Sequence, residues 1–166
     1  MKIYIASSWK NGDDVKVIAD YLRGNGHEVD CFADESTGRF VFHYSEIDSF
    51  ENLDAINFLY DERSKKAFTE DKKWIDWSDC VLLVLPAGKS AHLEAGYAVG
   101  KGKHLIIYQP VFPKGEFDVM YGFADLITDD FKTIENFLSN AKTTFTPEQM
   151  EQYRKNIEEK QEKCFA

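Results

Sequence analysis

Cysteine, basic charge and long apolar runs are all scarce in this chain, and each shortage removes a class of function. The three cysteines, Cys31, Cys80 and Cys164, are widely spaced, odd in number and without a C-x-x-C pair. That pattern suggests neither a disulfide framework nor a zinc site, and no metal or other cofactor is expected. Cys31 and Cys80 lie in apolar runs and read as core thiols. The 20 Lys and Arg are outnumbered by 29 Asp and Glu, for a net charge of −9, and the basic residues are scattered among the acids. A long nucleic acid or an anionic membrane surface is therefore a poor partner. A small anion held by local backbone donors stays open. No stretch approaches the length of a membrane span, and MKIYIASSW holds too short an apolar run for a signal peptide, so a cytoplasmic location is expected. Internal repeats and low-complexity segments are also missing.

What is present is the composition of a folded domain. Hydrophobic residues make up 43% and aromatics 14%, far from the signature of disorder. At 166 residues the chain has room for one domain, expected over 1–141, followed by a helical tail over 142–166. Short apolar runs alternate with longer helical segments, which argues for βαβ units and a parallel sheet. Strands are expected at 2–6, 27–32, 80–85, 103–108 and 124–127. CVLLVL at 80–85 is a continuous apolar run, as in a central strand buried on both faces, whereas Val29 and Cys31 alternate with polar neighbours, as near a sheet edge.

Helices are expected at 13–23, packing through Val15, Ile18, Ala19 and Leu22, and at 61–78, packing through Ala67, Phe68, Trp74 and Ile75. Further helices are expected at 90–99, with Gly96 and Gly100 allowing close approach to the sheet, and at 131–140, capped by Asp129 or Asp130. Residues 33–60 read as a mobile aromatic-rich loop that becomes helical from about Ile47. Thr146-Pro147-Glu148-Gln149 is a good helix start for the tail.

Ligands of an open parallel sheet bind outside the carboxyl ends of its strands. Three features converge there: the turn after the first strand with Ser7, Ser8 and Trp9, the acid-rich helix end with Asp71, Asp76 and Asp79, and the turn from Leu85 to Glu94. In that last turn Gly88 and Ser90 let the backbone turn tightly. Glu94, placed on the first helical turn, is expected to feel the helix field, which lowers a carboxylate pKa. It reads either as a dipole partner or as a nucleophile for an electrophilic sugar carbon. Ser90 reads as a helix N-cap, and His92 as a capping, packing or ligand-contacting residue. The G-x-S-x-G elbow and the glycine spacing of a P-loop are both absent. Trp9 with Phe40, Phe42 and Tyr44 reads as a base-stacking surface or as core beneath the long loop.

IYIASSW, D-x-x-x-I-x-x-S-D-C-V and LPAGKSAHLEAGYAVGKGK together resemble the nucleoside 2-deoxyribosyltransferase family and its N-hydrolase and CMP-type N-glycosidase relatives, most specifically in S-A-H-x-E-x-G-Y-A. The resemblance covers most of 1–141 and is tight over 71–103. It implies a flavodoxin-like three-layer α/β/α fold with a five-stranded parallel sheet of order 2-1-3-4-5. It also implies a nucleophile at Glu94, an acid handling the base and its proton at Asp71, with Asp76 or Asp79 competing for that role, and Tyr4 orienting the nucleophile. The substrate class is a nucleoside or nucleotide, and a homodimer or larger assembly is expected. Relatives that hydrolyse nucleotides hold the 5'-phosphate with a serine upstream of the nucleophile; here that loop is short, leaving Ser90 and the Ser7-Ser8 pair as candidates. The tail does not match the transferase ending. A non-catalytic nucleotide-binding module is the rival reading, and a flavodoxin-type electron carrier the weaker one, since the first turn lacks the Ser/Thr-rich phosphate cradle.

Overall fold

The computed structural model describes residues 1–34 and 38–141. The expected tail, its helix and Cys164 lie outside the described residues. Strands β1 (Lys2–Ala6), β2 (Glu28–Cys31), β3 (Cys80–Val84), β4 (His104–Tyr108) and β5 (Leu126–Thr128) form one parallel sheet in the order β2-β1-β3-β4-β5. This is the flavodoxin-like arrangement that the resemblance implies. Among the described residues no helix is long and apolar enough to cross a membrane.

Each strand of the centre is buried because each face of the sheet is covered. On one face α1 (Gly12–Gly24) and α5 (Phe131–Asn140) contribute Val15, Ile18, Leu22, Ile134 and Leu138 to a core with Ile3, Ile5, Leu82 and Ile106. The other face packs Tyr4, Val81, Leu83, Leu105 and Ile107 against α3 (Glu62–Trp77) and α4 (Lys89–Gly100). Cys31 and Cys80 are free thiols in the core. Asp130 caps α5, its carboxylate accepting from the Thr133 and Lys132 N–H groups at 2.9 and 3.1 Å.

Four sequence expectations are corrected. The small residues that bring α4 onto the sheet are Ala91, Ala95 and Ala98; Gly96 and Gly100 are exposed, and a Cβ at either would meet no atom within 4 Å. At 100° per residue those glycines fall about 140° and 180° around the helix from Ala91. The helix expected from Ile47 is only α2 (Ala55–Tyr60), preceded by single 3₁₀ turns at Tyr44–Glu46 and Phe50–Asn52. Ser49 has a left-handed backbone (φ 59°), and Asp54 caps α2 by accepting from the Asn57 N–H at 2.8 Å, so the chain restarts rather than continuing as one helix. Phe68 on α3 is 67% exposed, and Ser64 shares the buried side with Ile75 instead. The fifth strand begins two residues late, because a 3₁₀ turn runs through Val119–Phe123 and takes Ala124 as its C-cap.

Candidate active site

The register of β1 sets Tyr4 beside Asp30 of β2 and Val81 of β3, on the face covered by α3 and α4. Tyr4 and Asp30 are 2% and 3% exposed. Arg39, on the chain after β2, brings a buried guanidinium between two acids. Its Nη1 donates to Asp30 Oδ2 and its Nη2 to Asp71 Oδ1 on α3. The guanidinium carbon lies 5.4 Å from the centroid of the Tyr4 ring. Its Nε–H has no hydrogen-bond partner among the described residues. Glu94 comes from α4, where the Tyr4 hydroxyl draws its carboxyl group toward the charged form and the Asp71 charge opposes this.

One cation thus serves three carboxyl groups, with Asp30 buried and Glu94 and Asp71 half-buried. Burial, reinforced by the Asp71 charge, pushes Glu94 from 4.5 up to about 7, against the pull of Tyr4 and Arg39. Burial also holds Asp71 above the ordinary aspartate value, and Asp30 at about 6, although Arg39 draws both down. The Tyr4 hydroxyl is raised well above 10 by burial and by the charges of Glu94 and Asp71. The expected lowering of Glu94 by the helix field is therefore reversed. The N-cap of α4 is Gly88, with no side-chain cap bond, and the helix starts at Lys89. Glu94 consequently sits in the second turn, beyond the reach of the first-turn dipole effect, and desolvation decides.

The structure brings Tyr4, Asp71 and Glu94 together and ties the competing acids elsewhere. Asp76 accepts from Lys72 Nζ at 2.5 Å and from the Tyr97 hydroxyl at 2.8 Å, and Asp79 accepts from the Lys2 N–H at 2.9 Å. The remaining candidates stand on the loops at the strand ends. Ser7 Oγ donates to the Val84 carbonyl (2.8 Å) and accepts from Asn11 Nδ2 (3.0 Å), which also donates to the Pro86 carbonyl (2.8 Å). Ser8 caps the short turn that follows, accepting from the Lys10 N–H at 3.3 Å. Trp9 is 47% exposed and sets its ring edge-on to Phe32 and His43. Ser90 is exposed and is not the N-cap; that place belongs to Gly88, one residue before the helix. His92 Nδ1 lies 2.8 Å from the Gly88 carbonyl, and its ring stacks on Tyr121.

Of the aromatic run, Phe40 lies under Lys66 Nζ, and Phe42 stacks on Phe58 with Arg63 above it, so both are packing residues. Tyr44, 51% exposed beside His43, leaves an accessible ring surface near Trp9. Sequence reasoning missed Asp30 and Arg39. The only local signals were an acid between the apolar Val29 and Cys31, and a single Arg entering a run of aromatics. Among the described residues no group of three or more His, Cys, Asp or Glu is placed to hold a metal ion.

The five-stranded parallel sheet of order β2-β1-β3-β4-β5 with helices on both faces places the chain among flavodoxin-like α/β proteins. Two solved structures share that fold at low identity. One is a 2-deoxyribosyltransferase of Bacillus psychrosaccharolyticus, at 21% identity and TM-score 0.57, covering 82% of this chain and 91% of that one. The other is a CMP N-glycosidase of Clostridium botulinum, at 16% identity and TM-score 0.50, covering 84% of this chain and 99% of that one. No protein-family model and no curated protein sequence matches the chain.

Proposed function

We propose that the protein breaks, or exchanges the base across, the N-glycosidic bond of a nucleoside or 2'-deoxynucleoside, with Glu94 as nucleophile. The observation that carries this is the pairing of Glu94 with Asp71 beside Tyr4, two carboxyl groups both held above their ordinary range by burial. Cleavage passes through an oxocarbenium-like state that needs negative charge at C1' and a proton for the departing nitrogen. The pair reacts in the form in which its one shared proton sits on Asp71: in the first step an ionised Glu94 oxygen bonds to C1' as the C1'–N bond breaks, and Asp71 delivers that proton to the base. In the second, Asp71, now ionised, takes a proton from a new base or water as it attacks C1' and releases the Glu94 carboxylate. Tyr4 orients Glu94 from below. The family resemblance in S-A-H-L-E-A-G-Y-A and the shared fold support the same reading.

One observation favours hydrolysis of a nucleoside 5'-monophosphate as the second reading. The first turn of α4 opens at Gly88 without a side-chain cap, which leaves backbone N–H groups for a phosphate. Incubation with deoxyinosine plus adenine, and separately with deoxynucleoside monophosphates, distinguishes the two. Exchanged nucleoside supports the transferase, and free base from monophosphates alone supports the hydrolase. Glu94→Gln abolishes either product. If wild type forms no product yet binds a nucleoside as tightly as Glu94→Gln, the protein is a binding module. A homodimer or larger assembly belongs to the same proposal and is read by light scattering.

A further inference from the structure

We propose that Arg39 is a positioning residue, which uses Asp30 as a fixed anchor to hold the Asp71 carboxylate at its working place beside Glu94; this rests on the two-carboxylate reading above. Asp71 rides on a helix and keeps 38% of its side chain exposed, so nothing in its own burial fixes its rotamer. Arg39 and Asp30 have side chains only 1% exposed, and Asp30 belongs to a strand locked in register with β1. The guanidinium is a planar fork, so holding one nitrogen on Asp30 fixes where the other presents itself to Asp71. The Tyr4 ring, 5.4 Å from the guanidinium carbon, restricts its tilt, and Tyr4 also acts on the Glu94 carboxyl group. Two strands, the loop and α3 are thereby registered through one side chain. A misplacement of about 1 Å in such an arrangement is enough to cost on the order of a hundredfold in rate.

The charged and titratable groups facing Glu94 are Tyr4 on β1, Asp30 on β2, Arg39 after it, and Asp71 on α3, with Glu70 acting on Asp71 from the same helix. Removing Arg39 alone would strand Asp30 as a buried unpaired acid and could unfold the protein. The comparison is therefore made on an Asp30→Asn background, where the amide oxygen still accepts from Arg39 Nη1 and keeps the anchor, while no buried charge is stranded when the guanidinium goes: Asp30→Asn against Asp30→Asn/Arg39→Met and Asp30→Asn/Arg39→Lys. Each protein is followed by steady-state kinetics across pH and by carboxyl ¹³C NMR titration of Glu94.

On that background Arg39→Met is expected to lower kcat about tenfold or more with KM nearly unchanged, and to move the Glu94 midpoint upward by about half a pH unit or more. Arg39→Lys returns the midpoint but not kcat, because an ammonium restores charge without the fork. Equal kcat and equal Glu94 midpoints in Asp30→Asn and Asp30→Asn/Arg39→Met would overturn the proposal, as would full recovery of kcat by Arg39→Lys. If wild type forms no product from any nucleoside or nucleotide, the N-glycosidase reading fails. Crystal structures of Asp30→Asn and Asp30→Asn/Arg39→Met then still decide Arg39: an Asp71 carboxylate in the same place in both sinks its role, and a displaced one sustains it.

Discussion

In the proposed reaction Glu94 attacks carbon in its charged form, yet it is held where charge is costly. Its displacement from 4.5 to about 7 is caused chiefly by burial, so the reactive form is the minor one below neutrality. The pH profile of kcat/KM is expected to show an acid limb near pH 7, rising as pH increases, rather than near the ordinary glutamate value. The same displacement acts on stability with a definite sign. A carboxyl group whose folded pKa exceeds its unfolded one binds more protons when folded, so its contribution favours the fold below about pH 4.5 and is lost as pH rises to about 7. The full span is worth about 3 kcal/mol. Asp30, raised from 3.8 to about 6, adds in the same direction over a lower window. Thermal melts from pH 4.5 to 8 should show wild type losing stability relative to Glu94→Gln, which carries no such charge. A parallel pH dependence in the two proteins would refute the assignment of the titration to Glu94.

At the scale of elements, what could be read in advance was what depends on neighbours in sequence. The unbroken CVLLVL run makes β3, and Val15, Ile18, Ala19 and Leu22 at helical spacing make α1. Asp71 and Glu94 were legible because their surrounding pattern is distinctive. Arg39 was not, since its meaning comes from Asp30 nine residues before it and Asp71 thirty-two residues after it, joined only once the sheet is formed. Helix starts were misjudged for a related reason: a serine at 90 is a good cap by type, yet the chain turns at Gly88. The loop after β1 tests how far such ties matter to the site. Asn11 donates to both Ser7 Oγ and the Pro86 carbonyl, sewing two strand-end loops together. Asn11→Ala is expected to destabilise the protein by about 1–2 kcal/mol in urea unfolding. It should also raise KM severalfold while leaving the acid limb in place, because no group of the carboxylate cluster is touched. A shifted limb with unchanged KM would contradict that division.

Across the whole molecule the sheet separates two tasks. The face toward α1 and α5 is an apolar core, and the face toward α3 and α4 combines apolar packing with the sheltered polar cluster. Leu82 points into the first of these, 1% exposed at the centre of the central strand. Leu82→Ala is expected to cost about 2–5 kcal/mol of folding free energy, measured by denaturant titration, with the midpoint of the acid limb unchanged. A displaced limb in a variant that remains folded would show the two faces to be coupled. Their separation also has a meaning for how the protein tolerates change. Substitutions in α1 and α5 form a reservoir in which natural drift, or a laboratory library, accumulates gains in robustness without touching the candidate site. New specificities, by contrast, must be sought among the loops and helices of the other face, and their losses in stability repaid from the first.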